Sequence, residues 1–413
     1  MQAKLLLGAV FILMAGGAYA AEPDGLVLPQ GFHAEVAADG IKGLRHMAFA
    51  PSGTLYVSTR QDGLAALPLG KDHKAGEPQY FAKEIGSGSG IRLYHGALYA
   101  SSVAAVYRIK LDKKLVPSAQ PEKVLDGMPT TGFSNRVIAF DNAGNIYVGV
   151  GGSGNTCTGQ TPKGQKPVGL TPCPGIDGRG GIWKFKAGKL NQKFPGDGVE
   201  VATGLRDLDA MDWRPGDGLY AVMHNRNATH AQFPDLVSGA DDDAIAEEMD
   251  RIPAGKLSNM GWPFTYWDGK RQIRLMAPEY GGNDKTQPPA GLYATPVVGF
   301  YPSHSPLDLL FYQGKQFPAH YRGGAFVVQH GGNGGHDLAG HAGYEVDYVP
   351  FDHGKAGTPE VFADGFAGAG DVAKTPDKAT YRPVGGAVGP DGSLYVADGQ
   401  KGRIWRISYG DRG

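Results

Sequence analysis

The chain has 413 residues, with 40 Lys+Arg against 41 Asp+Glu and a formal net charge of −1. Gly and Pro together make up about 23% of it, close to twice the usual ~12%. With 41% apolar and 20% charged residues, the composition excludes intrinsic disorder, and the balanced charge leaves no basic field for nucleic acid or an anionic membrane.

Lys4 is followed by an apolar stretch from Leu5 to Gly17 and then by the small-residue pattern Ala18-Tyr19-Ala20. This predicts an export signal over residues 1–20, cleaved after Ala20, because the run falls short of the ~20 residues that span a bilayer. Residues 21–413 then form the mature protein, periplasmic or secreted, with no membrane span. A lone strand is predicted at Phe32–Gly40. Beyond it a turn followed by a short apolar-aromatic strand recurs six times, at Gly53–Val57, Gly96–Ala100, Gly144–Val148, Gly218–Ala221, Gly324–Val327 and Gly392–Val396. An apolar strand precedes the turn in most copies, as in His46–Pro51 and Val384–Pro390. A third strand follows at Ala105–Ile109, Gly181–Phe185, Tyr344–Tyr348 and Arg403–Ile407. A fourth, ending in Gly, lies at Glu122–Gly127, Val199–Gly204 and Glu360–Gly365.

Six units of four short strands predict an all-β, six-bladed β-propeller. The last unit stops after its third strand, near Tyr409, so Phe32–Gly40 is expected to close the last blade and remove exposed sheet edges. A sandwich of the same strands is the alternative, but it leaves the split unit unexplained. Cys157 and Cys173 are the only cysteines, and an oxidising compartment predicts a disulfide between them. Closing a loop of about 15 residues is worth roughly 3 kcal/mol. No Cys-x-x-Cys-His occurs, so the chain carries no covalent haem.

The interval from Tyr220 to Phe326 is too long for one blade and holds Asp241-Asp242-Asp243, Glu247-Glu248 and Gly261-Trp262-Pro263-Phe264. Loop insertions on one face of a propeller build the site over the channel, so function is expected there. The acidic run 241–243 with Glu247 and Glu248 reads either as a Ca²⁺ site or as the solvated acidic start of a helix. His330, His336 and His341, with Asp337, match no standard zinc spacing and read as a polar loop.

Several segments together resemble a known family. They are Gly204-Leu205-Arg206, Glu247 to Gly255 running into Gly261-Trp262-Pro263, His304-Ser305-Pro306-Leu307, Phe311 to Pro318, Tyr321 to Phe326, and Tyr381-Arg382-Pro383-Val384-Gly385. In order and spacing they resemble the soluble quinoprotein glucose/sorbosone dehydrogenases, also called PQQ-dependent aldose or pyranose dehydrogenases. The resemblance covers nearly the whole mature chain. It implies pyrroloquinoline quinone (PQQ) over the central channel with Ca²⁺ beside it. The reaction implied is oxidation of an aldose or related sugar aldehyde, with electrons passing to a separate cytochrome c or quinone. PQQ is a flat ortho-quinone bearing carboxylates, which suit the planar fork of arginine. Ca²⁺ takes oxygen ligands, backbone carbonyls included, and polarises the reactive carbonyl.

Carried over to this chain, the resemblance assigns Arg206 and Arg382 to the cofactor, with Asp207 beside Arg206. It assigns the backbone carbonyls of Asn225 and Arg226 to the metal. The sequence also departs from the family. The catalytic His that normally precedes an Arg, here Arg136, falls at Gly132 or Phe133, neither of which accepts a proton. Asp207 stands where Asn is usual, and its charge would repel a PQQ carboxylate unless it is protonated, paired or turned away. The cation expected around His330–Gly334 is missing, and Thr380 replaces a second Arg seen in some members. His304 is then the substitute base, with His224 and His230 as further candidates in neighbouring loops. Two other readings stay open: a non-catalytic propeller binding a sugar or protein partner in the periplasm, and a Ca²⁺-dependent lactonase-type hydrolase, the latter by fold analogy.

Overall fold

A computed structural model of the protein describes residues 19–22, 24–160, 162, 165–333 and 342–410. The predicted signal up to residue 18, and His336, Asp337 and His341, lie outside the described residues. Tyr19–Ala21 pairs with Val27–Pro29 at the predicted cleavage point.

Each repeat folds into one blade because a tight turn joins strands whose two faces both find apolar partners. Leu55–Thr59, Asn145–Val150 and Ala325–Gln329 are buried at every position, since adjacent blades cover both sides. From channel to rim, blade 1 runs Leu44–Phe49, Leu55–Thr59, Leu64–Leu67, Gln79–Phe81. Blade 2 runs Ser87–Tyr94, Ala97–Ser102, Ala105–Lys110, Glu122–Asp126, and blade 3 Ile138–Phe140, Asn145–Val150, Gly181–Lys186, Val199–Thr203. Short rim strands, Gln192–Lys193 and Ser258–Asn259, add to blades 2 and 3. Blade 4 runs Asp207–Arg214, Gly218–His224, Glu247–Ile252, Val298–Phe300. Blade 5 runs Pro306–Phe311, Ala325–Gln329, Glu345–Val349, Glu360–Ala363, and blade 6 Pro383–Val388, Leu394–Asp398, Ile404–Tyr409 and then Phe32–Ala38. The innermost strands touch in sequence around the ring, blade 6 against blade 1 included.

The expected closure is present: Phe32–Ala38 pairs antiparallel with Ile404–Tyr409, Phe32 opposite Tyr409. The Phe32 ring meets Phe317, Tyr321 and Phe362 edge-on at 4.8, 5.1 and 5.0 Å, anchoring the added strand in the core shared with blade 5. The disulfide also forms, with Cα atoms of Cys157 and Cys173 6.0 Å apart, in the long blade 3 insertion.

One expectation is corrected. Gly239–Asp242 is a one-turn helix capped by the Ser238 hydroxyl, but Glu247 and Glu248 are not its solvated continuation. They begin the third strand of blade 4, and Glu248 is fully buried against Arg274. An acidic residue is tolerated in that strand because a buried guanidinium from the inserted hairpin, Thr265–Asp268 and Ile273–Met276, neutralises it.

The innermost strands enter the channel irregularly. Register shifts fall at Leu44/Met47, Ser87/Ile91, Leu208/Ala210, Pro306/Asp308 and Pro383/Gly385, all near the strand starts. Such bulges re-aim side chains and are common beside functional sites. Deeper in the channel, Arg92 of blade 2 reaches Asp308 of blade 5 at 2.9 Å, with Asp308 fully buried. Arg92 also donates to the Met211 carbonyl of blade 4, and Asp308 accepts the Gly386 N–H of blade 6 at 2.9 Å. A Cβ at Gly386 would lie 2.4 Å from the Leu310 side chain, which would have to shift to make room.

Removing one member of a buried pair strands the other charge, at about 3–5 kcal/mol. Arg92→Met is therefore expected to lower unfolding free energy in urea by that amount, and the Arg92→Met/Asp308→Leu double variant by less than the sum of its singles. A loss below about 1 kcal/mol, the scale of an exposed pair, would count against this role.

Candidate functional site at the channel mouth

The bulged strand starts and the turns between second and third strands meet on one face of the ring. The strand starts bring Arg45, Arg206, Asp207, Asp209 and Arg382, and the turns bring Arg60, His224 and His330. Arg45 is the common neighbour: it feels the charges of Asp209, Arg60 and Asp207, and His330 feels those of Arg382, Arg45 and Arg60. Arg206 and Arg382, matched separately from the sequence, therefore open onto the same mouth.

Arg206 is 4% exposed. Its Nη1 donates to the His224 carbonyl at 3.1 Å, and its guanidinium lies 4.5 Å from the centre of the Phe133 ring. Phe133, which the resemblance aligns with the family's base, thus packs under the Arg206 guanidinium instead. Arg382 donates through Nη2 to the Gly331 carbonyl at 2.6 Å and lies over Tyr344. In both arginines Nε is buried without a hydrogen-bond partner. Two orphaned cationic donors at one mouth fit an anionic ligand. Arg45, which donates to Ser89 Oγ at 3.3 Å, and Arg60 add charge that no motif had marked.

The acids at this mouth do not cancel that charge. Burial pushes the Asp207 carboxyl above its usual range. Burial, with the Asp207 charge beside it, pushes Asp209 up to about 8. At neutral pH Asp209 keeps its proton while accepting a hydrogen bond from Asn135 Nδ2 at 2.6 Å. At neutral pH the protonated Asp209 therefore adds no negative charge against Arg45.

His330 follows the second strand of blade 5. Gly331, at φ +83°, turns the chain back, and the N–H groups of His330 and Gly331 donate to the Ser305 and His304 carbonyls. The His330 Nδ1–H donates to the Pro383 carbonyl at 2.8 Å, which leaves Nε2 as the lone-pair nitrogen. Burial and the Arg382, Arg45 and Arg60 charges push this imidazole down to about 3, so it is neutral. Sequence reading had passed His330 over as part of a polar loop, since nothing near it in the chain announces the three arginines that surround it.

Of the other candidates, His224 borders the mouth and the rest are held in neighbouring networks. Asn225 Nδ2 donates to the Ala246 carbonyl and Glu248, and Arg226 forms a forked pair with Glu279, both contacts at 3.0 Å. Their side chains are committed to this buried network, so only their backbone carbonyls remain for a metal. Burial lowers the His224 pKa, but Glu247, 2.8 Å away, more than offsets this and the net shift is upward. His230 Nδ1 meets the Val237 carbonyl at 2.8 Å inside the insertion. Arg136 holds the Phe133, Asn135 and Pro129 carbonyls. His304 is 2% exposed and lies against Glu345 within blade 5. Asp241 pairs with Arg271 and Glu248 with Arg274, so the acidic run does not assemble as one metal site.

Among solved structures, the chain is similar to the calcium structure of the Trichoderma reesei carbohydrate-active enzyme of family AA12 (TM-score 0.73, 18% identity, 96% of this chain and 99% of that one covered). It is similar to the holo PQQ domain of the pyranose dehydrogenase from Coprinopsis cinerea (TM-score 0.73, 16% identity, 93% and 97% covered). It is also similar to the apo soluble aldose sugar dehydrogenase from Escherichia coli (TM-score 0.60, 17% identity, 92% and 99% covered). No curated protein matches the chain. These likenesses establish the six-bladed fold. The family model described as TrAA12-like matches residues 26–410, nearly the whole propeller, and the chain belongs to the TrAA12-like family.

Proposed function

We propose that the protein is an exported quinoprotein that oxidises an aldose or related sugar aldehyde with PQQ and Ca²⁺. The observation that carries this reading is a neutral imidazole, His330, set among Arg45, Arg60 and Arg382 at the channel mouth. Arg206 and Arg382, whose Nε donors lack partners, would hold PQQ carboxylates, with Arg45 adding charge. The Asn225 and Arg226 carbonyls would serve Ca²⁺. When bound, PQQ supplies the two-electron acceptor that side chains lack.

The residues of this chain do the rest. His330 Nε2 takes the proton of the sugar hydroxyl, while the Pro383 carbonyl fixes the tautomer. Burial is the main cause that holds His330 low, and carboxylates seated beside Arg382 and Arg45 would offset the smaller part that comes from the arginine charges. His304, packed against Glu345 and nearly inaccessible, is the weaker choice of base. The disulfide supports an oxidising compartment, and the lack of a haem motif supports a separate cytochrome c or quinone as electron acceptor.

Purified protein supplied with PQQ and Ca²⁺ is expected to reduce a redox dye when an aldose is added. No change in cofactor absorbance on mixing would sink the reading, and binding without turnover on any sugar would turn it into a non-catalytic propeller. His330→Gln should keep the cofactor absorbance change but lose about 10²-fold or more in turnover; an undiminished rate would move the base elsewhere. The affinity for PQQ should also fall as pH rises through about 8, where Asp209 gains its negative charge. Absorbance titration of Asp209→Asn should show that dependence flattened, and an unaltered pH profile would mean the carboxyl does not face the ligand.

A further inference from the structure

Blade 5 holds a second polar cluster that the channel chemistry does not use. His304 precedes its first strand, Gln329 ends its second, and Glu345 and Asp347 start its third. Positions 345 and 347 point to one face of that strand. His304, Glu345 and Asp347 are 2%, 6% and 5% exposed, and one potential ligand atom from each lies within 4.8 Å of the others. Among the described residues this is the one such grouping of His, Cys, Asp and Glu.

From this geometry we propose that His304, Glu345 and Asp347 bind a divalent metal of the Zn²⁺ class, at a site separate from any Ca²⁺ beside the cofactor. His304 Nδ1 lies 3.4 Å from Glu345 Oε1. Donors on a tetrahedral zinc at ~2.0–2.1 Å lie about 3.4 Å from one another, so this edge is already at the required length. An imidazole with two carboxylates suits zinc or a neighbouring first-row ion, whereas Ca²⁺ prefers oxygen alone.

A second feature points to the same occupant. Gln329 is fully buried, and its Nε2 donates to Asp347 Oδ2 at 2.9 Å, the kind of outer contact that orients a ligating carboxylate. Its Oε1 has no hydrogen-bond partner, so an oxygen remains for the metal or a metal-bound water. The backbone is also held unusually here: Ser303 and Ser305, on either side of His304, and Tyr344, before Glu345, have φ of 61°, 53° and 63°. A metal at this point would tie the first and third strands of blade 5 together beneath the turn that carries His330.

The test needs no PQQ and does not depend on the dehydrogenase reading. Untagged full-length protein, stripped with a chelator and desalted, is titrated with Zn²⁺, and with Co²⁺ for its visible d–d bands. One equivalent per chain is expected, retained in excess Ca²⁺. The Glu345→Gln/Asp347→Asn double variant, its fold checked by circular dichroism, should bind at least 100-fold more weakly. Failure of the wild-type protein to take up a stoichiometric ion would overturn the proposal by itself, even if the variant does not fold. Displacement by Ca²⁺, or undiminished uptake by a folded variant, would overturn it too.

Discussion

A closed ring of six sheets leaves its innermost strands facing one another across a narrow axis, and the buried pair of Arg92 and Asp308 occupies that axis. Arg92 comes from blade 2 and also reaches a blade 4 carbonyl, while Asp308 comes from blade 5 and also takes an N–H from blade 6. Four blades thus lean on one ion pair. Buried ions are tolerated only when their remaining donors and acceptors are met, and here the neighbouring backbone meets them.

The mouth gathers its arginines from blades 1, 4 and 6; Asp207 and Asp209 come from blade 4, and Asp398 of blade 6 accepts the Arg382 N–H. Crowding Asp207 and Asp209 onto one bulged strand makes it costly for both to ionise, and Asp209 keeps its proton into mild alkali. An Asp in place of the usual Asn then costs the site little. Burial keeps His330 neutral, and the Arg382, Arg45 and Arg60 charges add to the same downward push.

Much of the architecture was legible in the sequence because the signal repeated. The Gly-turn-strand pattern gave all six second strands, and the lone strand after Gly31 matched the missing last position of blade 6. Blade 4 was harder to read. Its third strand begins with two glutamates, and Arg274 and His224, each more than 20 residues away in the chain, make them tolerable inside. Arg206 and Arg382 were visible because a motif surrounded each of them. Arg45, Arg60 and His330 were not, since each lies in an ordinary turn or strand start and they meet only when blade 5, blade 6 and blade 1 come together. The grouping of His304 with Glu345 and Asp347 escaped for the same reason: about 40 residues separate partners that one sheet brings together.

The pairing of Phe32–Ala38 with Ile404–Tyr409 has a consequence for folding. Phe32–Ala38 finds no ladder partner until Ile404–Tyr409 is in place, so two segments about 370 residues apart must come together before blade 6 is complete.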